Sequence, residues 1–98
     1  MYRIIDSRGT GKTSRLMLLA KEKNGTIVCS NPKAMQRKAY DYGLTGITFI
    51  SYHEFLLDGH GSNIGDYYID ELEPFLQAVQ YATGLKGTLQ GYTLSEDD

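Results

Sequence analysis

Two glycines, a lysine and a threonine near the start of the chain have the spacing of a phosphate-binding loop. The run reads Asp6-Ser7-Arg8-Gly9-Thr10-Gly11-Lys12-Thr13 and stands between a short apolar stretch at residues 2–5 and a helical pattern. In such a loop, successive backbone N–H groups point at a phosphate chain beside the positive end of a helix dipole. Glycines allow the close approach, because they carry no Cβ. The run therefore predicts a site for phosphate.

The residue types within this run assign a separate role to most positions. Lys12 would reach the β- and γ-phosphates and assist catalysis, and the Thr13 hydroxyl would ligate Mg²⁺. The complete P-loop pattern is G-x-x-x-x-G-K-[ST], and Asp6 stands where its first glycine belongs. A carboxylate at that position repels phosphate unless Arg8 or Mg²⁺ offsets its charge. The residues predicted to bind the nucleotide are Arg8, Gly9, Thr10, Gly11, Lys12 and Thr13.

A second motif consists of an apolar run that ends in two carboxylates. It reads Tyr67-Tyr68-Ile69-Asp70-Glu71 and looks like a Walker B element. Asp70 would hold Mg²⁺ opposite Thr13, directly or through water, and Glu71 would activate the attacking water as the general base. Taken alone, the run fits a strand that ends in a solvated acidic turn better than a Walker B element, because acidic strand ends are common. The order and separation of the two motifs favour a nucleotide site.

Composition and charge limit the class of protein. The 98 residues, 41% of them hydrophobic, suit one small globular domain covering residues 1–98. We expect no membrane span and no signal peptide, and the single Cys29 indicates a reducing, cytoplasmic compartment. Residues 1–40 carry nine Lys and Arg against two acids, whereas residues 41–98 carry one against ten. This split indicates either a basic face for phosphate or nucleic acid, or halves that interleave and pair their charges.

Strand and helix patterns alternate along the chain, which predicts an α/β fold. We expect a three-layer sandwich with a mainly parallel sheet of about five strands, at residues 2–5, 26–29, 47–50, 67–71 and 88–94. Helices are predicted over residues 12–23, from Pro32 to about Gly43 with Asn31 as the N-cap, and over a short stretch to Leu57. Ser51 and Glu54 form a capping box for that short helix. A last helix is predicted to begin at Pro74 and to end at Gly84.

With both motifs in place, the chain resembles a minimal P-loop NTPase, most closely the first motor lobe of superfamily 1 helicases and the ATPase of phage terminases. The Arg8-to-Thr13 run is similar to their motif I, and Asp70-Glu71 is similar to motif II. The segments at residues 27–32 and 47–56 resemble the strands that contact single-stranded nucleic acid there. The resemblance implies a P-loop NTPase-like fold in a small phage-type protein of the host cytoplasm. It also implies a helicase-like, ATP-binding hydrolase that takes ATP, or another NTP, with Mg²⁺.

We therefore expect a nucleotide-binding domain with weak or partner-dependent, Mg²⁺-dependent ATPase activity in a nucleic-acid-processing assembly. The resemblance implies that a protein partner or a second copy supplies an arginine finger. Two alternatives stay open. One is a non-catalytic phage interaction or inhibitor protein that retains a motor-lobe fold. The other is a small module that binds single-stranded nucleic acid weakly. The residues predicted for such a nucleic-acid face are Asn31, Lys33, Ser51 and Tyr52, with Tyr40, Tyr42 and Tyr52 as candidates for base stacking or for packing at the sheet boundary.

Overall fold

The computed structural model describes residue 4 and residues 11–57 and 65–93 of the chain. Over these residues it has a mixed α/β fold, as predicted, with strands and helices that alternate. The strands are β1 (Thr26–Cys29), β2 (Thr48–Ser51) and β3 (Tyr67–Ile69). The helices are α1 (Lys12–Lys23), α2 (Pro32–Asp41), α3 (Tyr52–Leu57) and α4 (Leu72–Ala82).

The three described strands form one parallel sheet in the order β2–β1–β3. The β1–β2 register runs from Thr26 opposite Thr48 to Cys29 opposite Ser51, and β1 pairs in the same way with β3. All four residues of β1 are buried, so both faces of the central strand are covered. Because the strands are parallel, their carboxyl ends lie at one edge of the sheet. The segments that follow the strands, which begin at Ser30, Tyr52 and Asp70, leave from that edge.

Helix α1 spans the residues that the sequence predicts, and its two ends explain why. It begins after Gly11, whose φ of 80° is a left-handed conformation that glycine adopts without strain. It ends at Asn24, also left-handed, whose N–H bonds to the carbonyls of Ala20 and Lys21. Helices α1 and α2 both pack on β1. The core cluster that they form with the sheet consists of Met17, Ala20, Ile27, Cys29, Met35, Ala39 and Ile47.

Local caps set the starts of α2 and α3, as predicted. The Asn31 side chain accepts a hydrogen bond from the Ala34 N–H at 3.2 Å, with Pro32 at the first helical position. Ser51 ends β2 and caps α3, because its hydroxyl oxygen accepts from the Glu54 N–H at 3.0 Å. The Ser51 hydroxyl also lies 3.4 Å from the Glu54 carboxylate. In a standard capping box that carboxylate would instead reach back to a backbone N–H.

Several predicted boundaries need correction. Strand β2 lies one residue later than predicted, and α4 begins at Leu72 rather than at Pro74. Pro74 fits as the third helical residue, because the first four N–H groups of a helix have no partner within it. The strand predicted at residues 88–94 is wrong for residues 88–93, which form no strand. Five of those six residues are exposed, and the apolar side chains of Leu89 and Tyr92 stand three positions apart, so the segment lacks the alternation that buries one face of a strand.

Some predictions fall on residues outside the described ranges. They include the first strand at residues 2–5, apart from Ile4, and the loop residues Asp6 to Thr10. Within the described ranges, no helix combines the length and the apolar character needed to cross a membrane.

Candidate functional site

The first turn of α1 contacts the acidic residue that follows β3. The Thr13 hydroxyl donates a hydrogen bond to the Asp70 carboxylate, with 3.3 Å between Oγ1 and Oδ1, although the two residues are 57 positions apart. The Asp70 N–H donates to the Val28 carbonyl at 3.0 Å, which continues the ladder between β1 and β3 by one residue. The Asp70 carboxyl is therefore held at the carboxyl edge of the sheet. The two side chains predicted to hold Mg²⁺ lie together.

Asp70 is half-buried, and the pKa of its carboxyl is raised from the ordinary value. Burial is the main cause, and the neighbouring charge of Glu71 adds to it. The hydrogen bond from Thr13 and the positive charges of Lys38 and Lys12 act in the opposite direction. A cation bound to this carboxylate would offset both the burial and the repulsion.

The start of α1 is suited to a negatively charged ligand. Its first turn, which lies wholly within the described residues, contains no acidic side chain, and Lys12 is half-buried there. Gly11 precedes it and has no side chain that could cap the free N–H groups. The Ser14 hydroxyl donates to the Gly11 carbonyl at 2.9 Å, so this side chain also leaves those N–H groups open. The first N–H groups of any helix have no partner within the helix, and together with the helix dipole they favour an anion at this position.

Glu71 follows Asp70 in an unusual backbone conformation. Its φ of 64° and ψ of 89° are left-handed, which is rare for a residue other than glycine. It stands at the N-cap of α4 without capping the helix through its side chain, which is exposed. Backbone strain of this kind, roughly 1–3 kcal/mol, persists only where the surroundings impose it, and it is concentrated at functional sites. The carboxylate predicted to be the general base is therefore next to Asp70 and not engaged in capping.

The Tyr52 side chain is hydrogen-bonded to the backbone of this acidic turn. Tyr52 is 7% exposed, and its hydroxyl donates to the backbone carbonyls of Asp70 and of Glu71, the latter at 3.1 Å. Burial, with the nearby charge of Asp70, raises the pKa of the Tyr52 hydroxyl above its ordinary value. The hydroxyl therefore keeps its proton and remains a hydrogen-bond donor at physiological pH.

Cys29 lies at the end of β1 near the same carboxylate. Its thiol is 1% exposed and contacts the Ile50 carbonyl at 3.7 Å. Burial, with the charge of Asp70, raises the pKa of the thiol to about 11. A thiol that stays protonated and buried is a core residue rather than a nucleophile.

A separate, mainly apolar groove of about 460 Å³ lies between α3 and α4. Thr13 and Asp70 are not among its lining residues, so it is distinct from the site just described. The residues that line it are Ser30, Ser51, Tyr52, His53, Leu56, Leu57, Ala78, Tyr81 and Ala82.

The structure brings together Lys12, Thr13 and Asp70, with Glu71 adjacent and Gly11 at the helix start. Arg8, Gly9 and Thr10 lie outside the described residues. Among the residues that the structure describes, no group of three or more His, Cys, Asp or Glu could hold a metal ion. Any Mg²⁺ held here would therefore also depend on ligands from a nucleotide or from water.

Of the two roles predicted for Tyr52, the structure favours packing at the sheet boundary over base stacking, because its ring is buried and its hydroxyl is hydrogen-bonded to the backbone. Tyr40 and Tyr42 are 74% and 55% exposed, and their stacking role stays a prediction. The sequence patterns did not predict that Tyr52 is hydrogen-bonded to the acidic turn. The available signal was its position, since it directly follows a strand whose carboxyl end meets the same edge of the sheet as Asp70.

Comparisons with protein families, with curated proteins and with solved structures found no match to this chain.

Proposed function

We propose that this chain is a P-loop NTPase-like domain, a three-layer α/β sandwich that binds the phosphates of ATP, or of another NTP, together with Mg²⁺. The single observation that supports this is the contact between Thr13 and Asp70. The start of α1 and the end of β3 meet because β3 pairs with β1 and α1 packs against both strands. A hydroxyl and a carboxylate are oxygen ligands of the kind that Mg²⁺ prefers.

The distance between the two oxygens fits a shared ion. Neighbouring ligands of an octahedral Mg²⁺, each about 2.1 Å from the metal, stand about 3 Å apart. The observed separation of 3.3 Å is close to that value. Thr13 and Asp70 would hold the ion, which would in turn neutralise the phosphates. The residues present therefore fit Mg²⁺.

The other residues of the site have roles that follow from their positions. Lys12 and the N–H groups of the first turn of α1 would bind the phosphates, with Arg8, Gly9 and Thr10 completing the loop. Glu71 would take a proton from the attacking water. Hydrolysis would be slow without an arginine finger from a partner or a second copy. A nucleic-acid-processing, helicase-like role for a cytoplasmic phage protein rests on the family resemblance alone.

Calorimetric titration of ATP and of GTP, each with Mg²⁺, tests the proposal. Lys12→Ala should weaken binding about tenfold to a hundredfold, because it removes a charge-assisted bond of about 1.5–3 kcal/mol. Lys23→Ala is the matched control, since Lys23 is an exposed lysine in the last turn of the same helix. Equal affinity of Lys12→Ala and the wild-type chain would refute the phosphate role. Glu71→Gln should retain nucleotide binding and slow phosphate release by about 10²–10⁴-fold, the contribution of a general base, which leaves a measurable residual rate.

A second candidate function, that of a non-catalytic interaction protein, is favoured by one feature of the surface. Helix α4 buries none of its residues, and Tyr81 and Leu85 are 86% and 65% exposed. Large apolar side chains exposed on a helix and on the segment that follows it would suit a surface that contacts a protein partner. A wild-type chain that binds neither ATP nor GTP in the titration would make this the better hypothesis.

A further inference from the structure

One buried side chain joins the short helix α3 to the acidic turn of the proposed nucleotide site. Tyr52 is the first residue of α3, and its ring packs edge-on against Phe75 of α4, with 5.6 Å between the ring centroids. Its hydroxyl is directed at the carbonyls of Asp70 and Glu71. The Glu71 carbonyl also accepts the Phe75 N–H at 3.3 Å, which is the first backbone hydrogen bond of α4.

We propose that Tyr52 is a positioning residue, whose hydroxyl holds the backbone of Asp70 and Glu71 in the conformation that presents the Glu71 carboxylate for catalysis. This inference rests on the proposed function.

The backbone of Glu71 is where such support is needed. A φ of 64° brings the Cβ of a non-glycine residue close to its own backbone, so the conformation is unfavourable by itself. It persists only if neighbouring groups stabilise it. A donor fixed by a packed ring, bonded to the carbonyls of both residues of the turn, provides this stabilisation.

Packing alone does not require the hydroxyl. Phenylalanine would fill the same space and make the same edge-on contact with Phe75. What tyrosine adds is one hydrogen-bond donor, and both of its acceptors belong to the two residues that carry the proposed metal ligand and general base. The chemistry of this side chain is therefore specific to the turn.

The test compares Tyr52→Phe with the wild-type chain. Single-turnover hydrolysis of ATP with Mg²⁺ should slow about tenfold, a part of the 10²–10⁴-fold that a general base contributes. The Kd for the nucleotide should stay within about twofold, because Asp70 keeps its own hydrogen bonds to the Thr13 hydroxyl and to the Val28 carbonyl when the Tyr52 hydroxyl is removed. The ¹³C resonances of the Asp70 and Glu71 carbonyls should shift, since both lose a donor.

Tyr92→Phe is the matched control. It also removes a tyrosine hydroxyl with a hydrogen bond, here to the Glu73 carboxylate at 2.8 Å on the exposed surface. It should alter neither the hydrolysis rate nor the two carbonyl resonances. A second comparison adds Tyr52→Phe to Glu71→Gln. If Tyr52 acts through Glu71, the double variant hydrolyses no more slowly than Glu71→Gln alone.

The outcomes separate this inference from the proposed function. Tyr52→Phe that hydrolyses at the wild-type rate overturns the inference, and so does a loss of affinity that matches the loss of rate. Additive losses in the double variant also overturn it. A wild-type chain that binds nucleotide but does not hydrolyse it removes the inference and leaves the binding function standing. A wild-type chain that binds no nucleotide removes both.

Discussion

The contact between Thr13 and Asp70 can be tested without any ligand, by a double-mutant cycle on the free protein. Thr13→Val removes the hydroxyl and keeps the shape of the side chain, and Asp70→Ala removes the acceptor. The 3.3 Å separation is longer than the usual 2.7–2.8 Å of O–H···O bonds, so the bond should contribute less than the 1.5–3 kcal/mol typical of charged groups. We expect a coupling energy of about 1 kcal/mol.

The single variants should behave differently from one another. Thr13→Val should be the less stable of the two, with a melting temperature about 4–8 °C below wild type for each kcal/mol lost in a domain of this size. Asp70→Ala should lose less stability, because this substitution also removes a buried carboxylate and its repulsion from Glu71, the two causes that raise the pKa of this carboxyl. Thr13→Ser keeps the hydroxyl and should stay close to the wild-type stability.

Urea denaturation at pH 7 of the wild-type chain, the two single variants Thr13→Val and Asp70→Ala, and the double variant gives the coupling energy. The free energy of unfolding must depend on urea concentration with the same slope in all four proteins. Adding nucleotide with Mg²⁺ at about 100 times its Kd should stabilise the wild-type chain by about 2.7 kcal/mol, and each single variant by less. A coupling energy below about 0.3 kcal/mol would mean that the two side chains do not meet in solution. The proposed function would then lose the observation that supports it.

Three further predictions concern Cys29 at the end of β1 and the Asn31 cap of α2. Cys29 is buried and the pKa of its thiol is raised to about 11, so it should react with iodoacetamide at pH 8 only after the chain is unfolded in urea. Mass spectrometry measures the labelling, and rapid labelling of the folded chain would contradict this prediction. Because the folded thiol keeps a proton that the unfolded thiol loses near pH 9, its contribution to stability should fall as the pH rises from about 9 towards 11. Asn31→Ala should lower the free energy of unfolding by about 1 kcal/mol, because the Ala34 N–H loses its acceptor, whereas Asn31→Ser should lose little. Equal urea midpoints for the wild-type chain and Asn31→Ala would show that the cap is not formed.

Local signals in the sequence determined most of the elements. The bounds of α1 and β1 agree with the prediction, and so do the caps at Asn31 and Ser51. These features depend on residues within four positions of each other: helical spacing, a glycine or asparagine in a left-handed conformation, and a side chain that accepts a nearby N–H. Interactions of such short range can be read without the rest of the fold.

Features that require a distant partner were decided by the tertiary structure. Residues 88–93 form no strand, because a strand needs a neighbouring edge to pair with as well as suitable residue types. The left-handed Glu71 and the burial of Tyr52 depend on the packing of α3 and α4, which are separated along the chain. Nothing in the local sequence around either residue specifies that contact.

The candidate site combines both kinds of information. The residue types of the loop and of the acidic turn predicted which side chains would share an ion. Their contact depends on the order β2–β1–β3, which sets the end of β3 beside β1, and on α1, which packs against both strands. The residue types of Thr13 and Asp70 specify the chemistry that these two side chains could perform. Their separation of 3.3 Å depends on strand pairing. Backbone hydrogen bonds form in the same way whatever side chains the strands carry, so the local sequence does not specify which side chains they bring together.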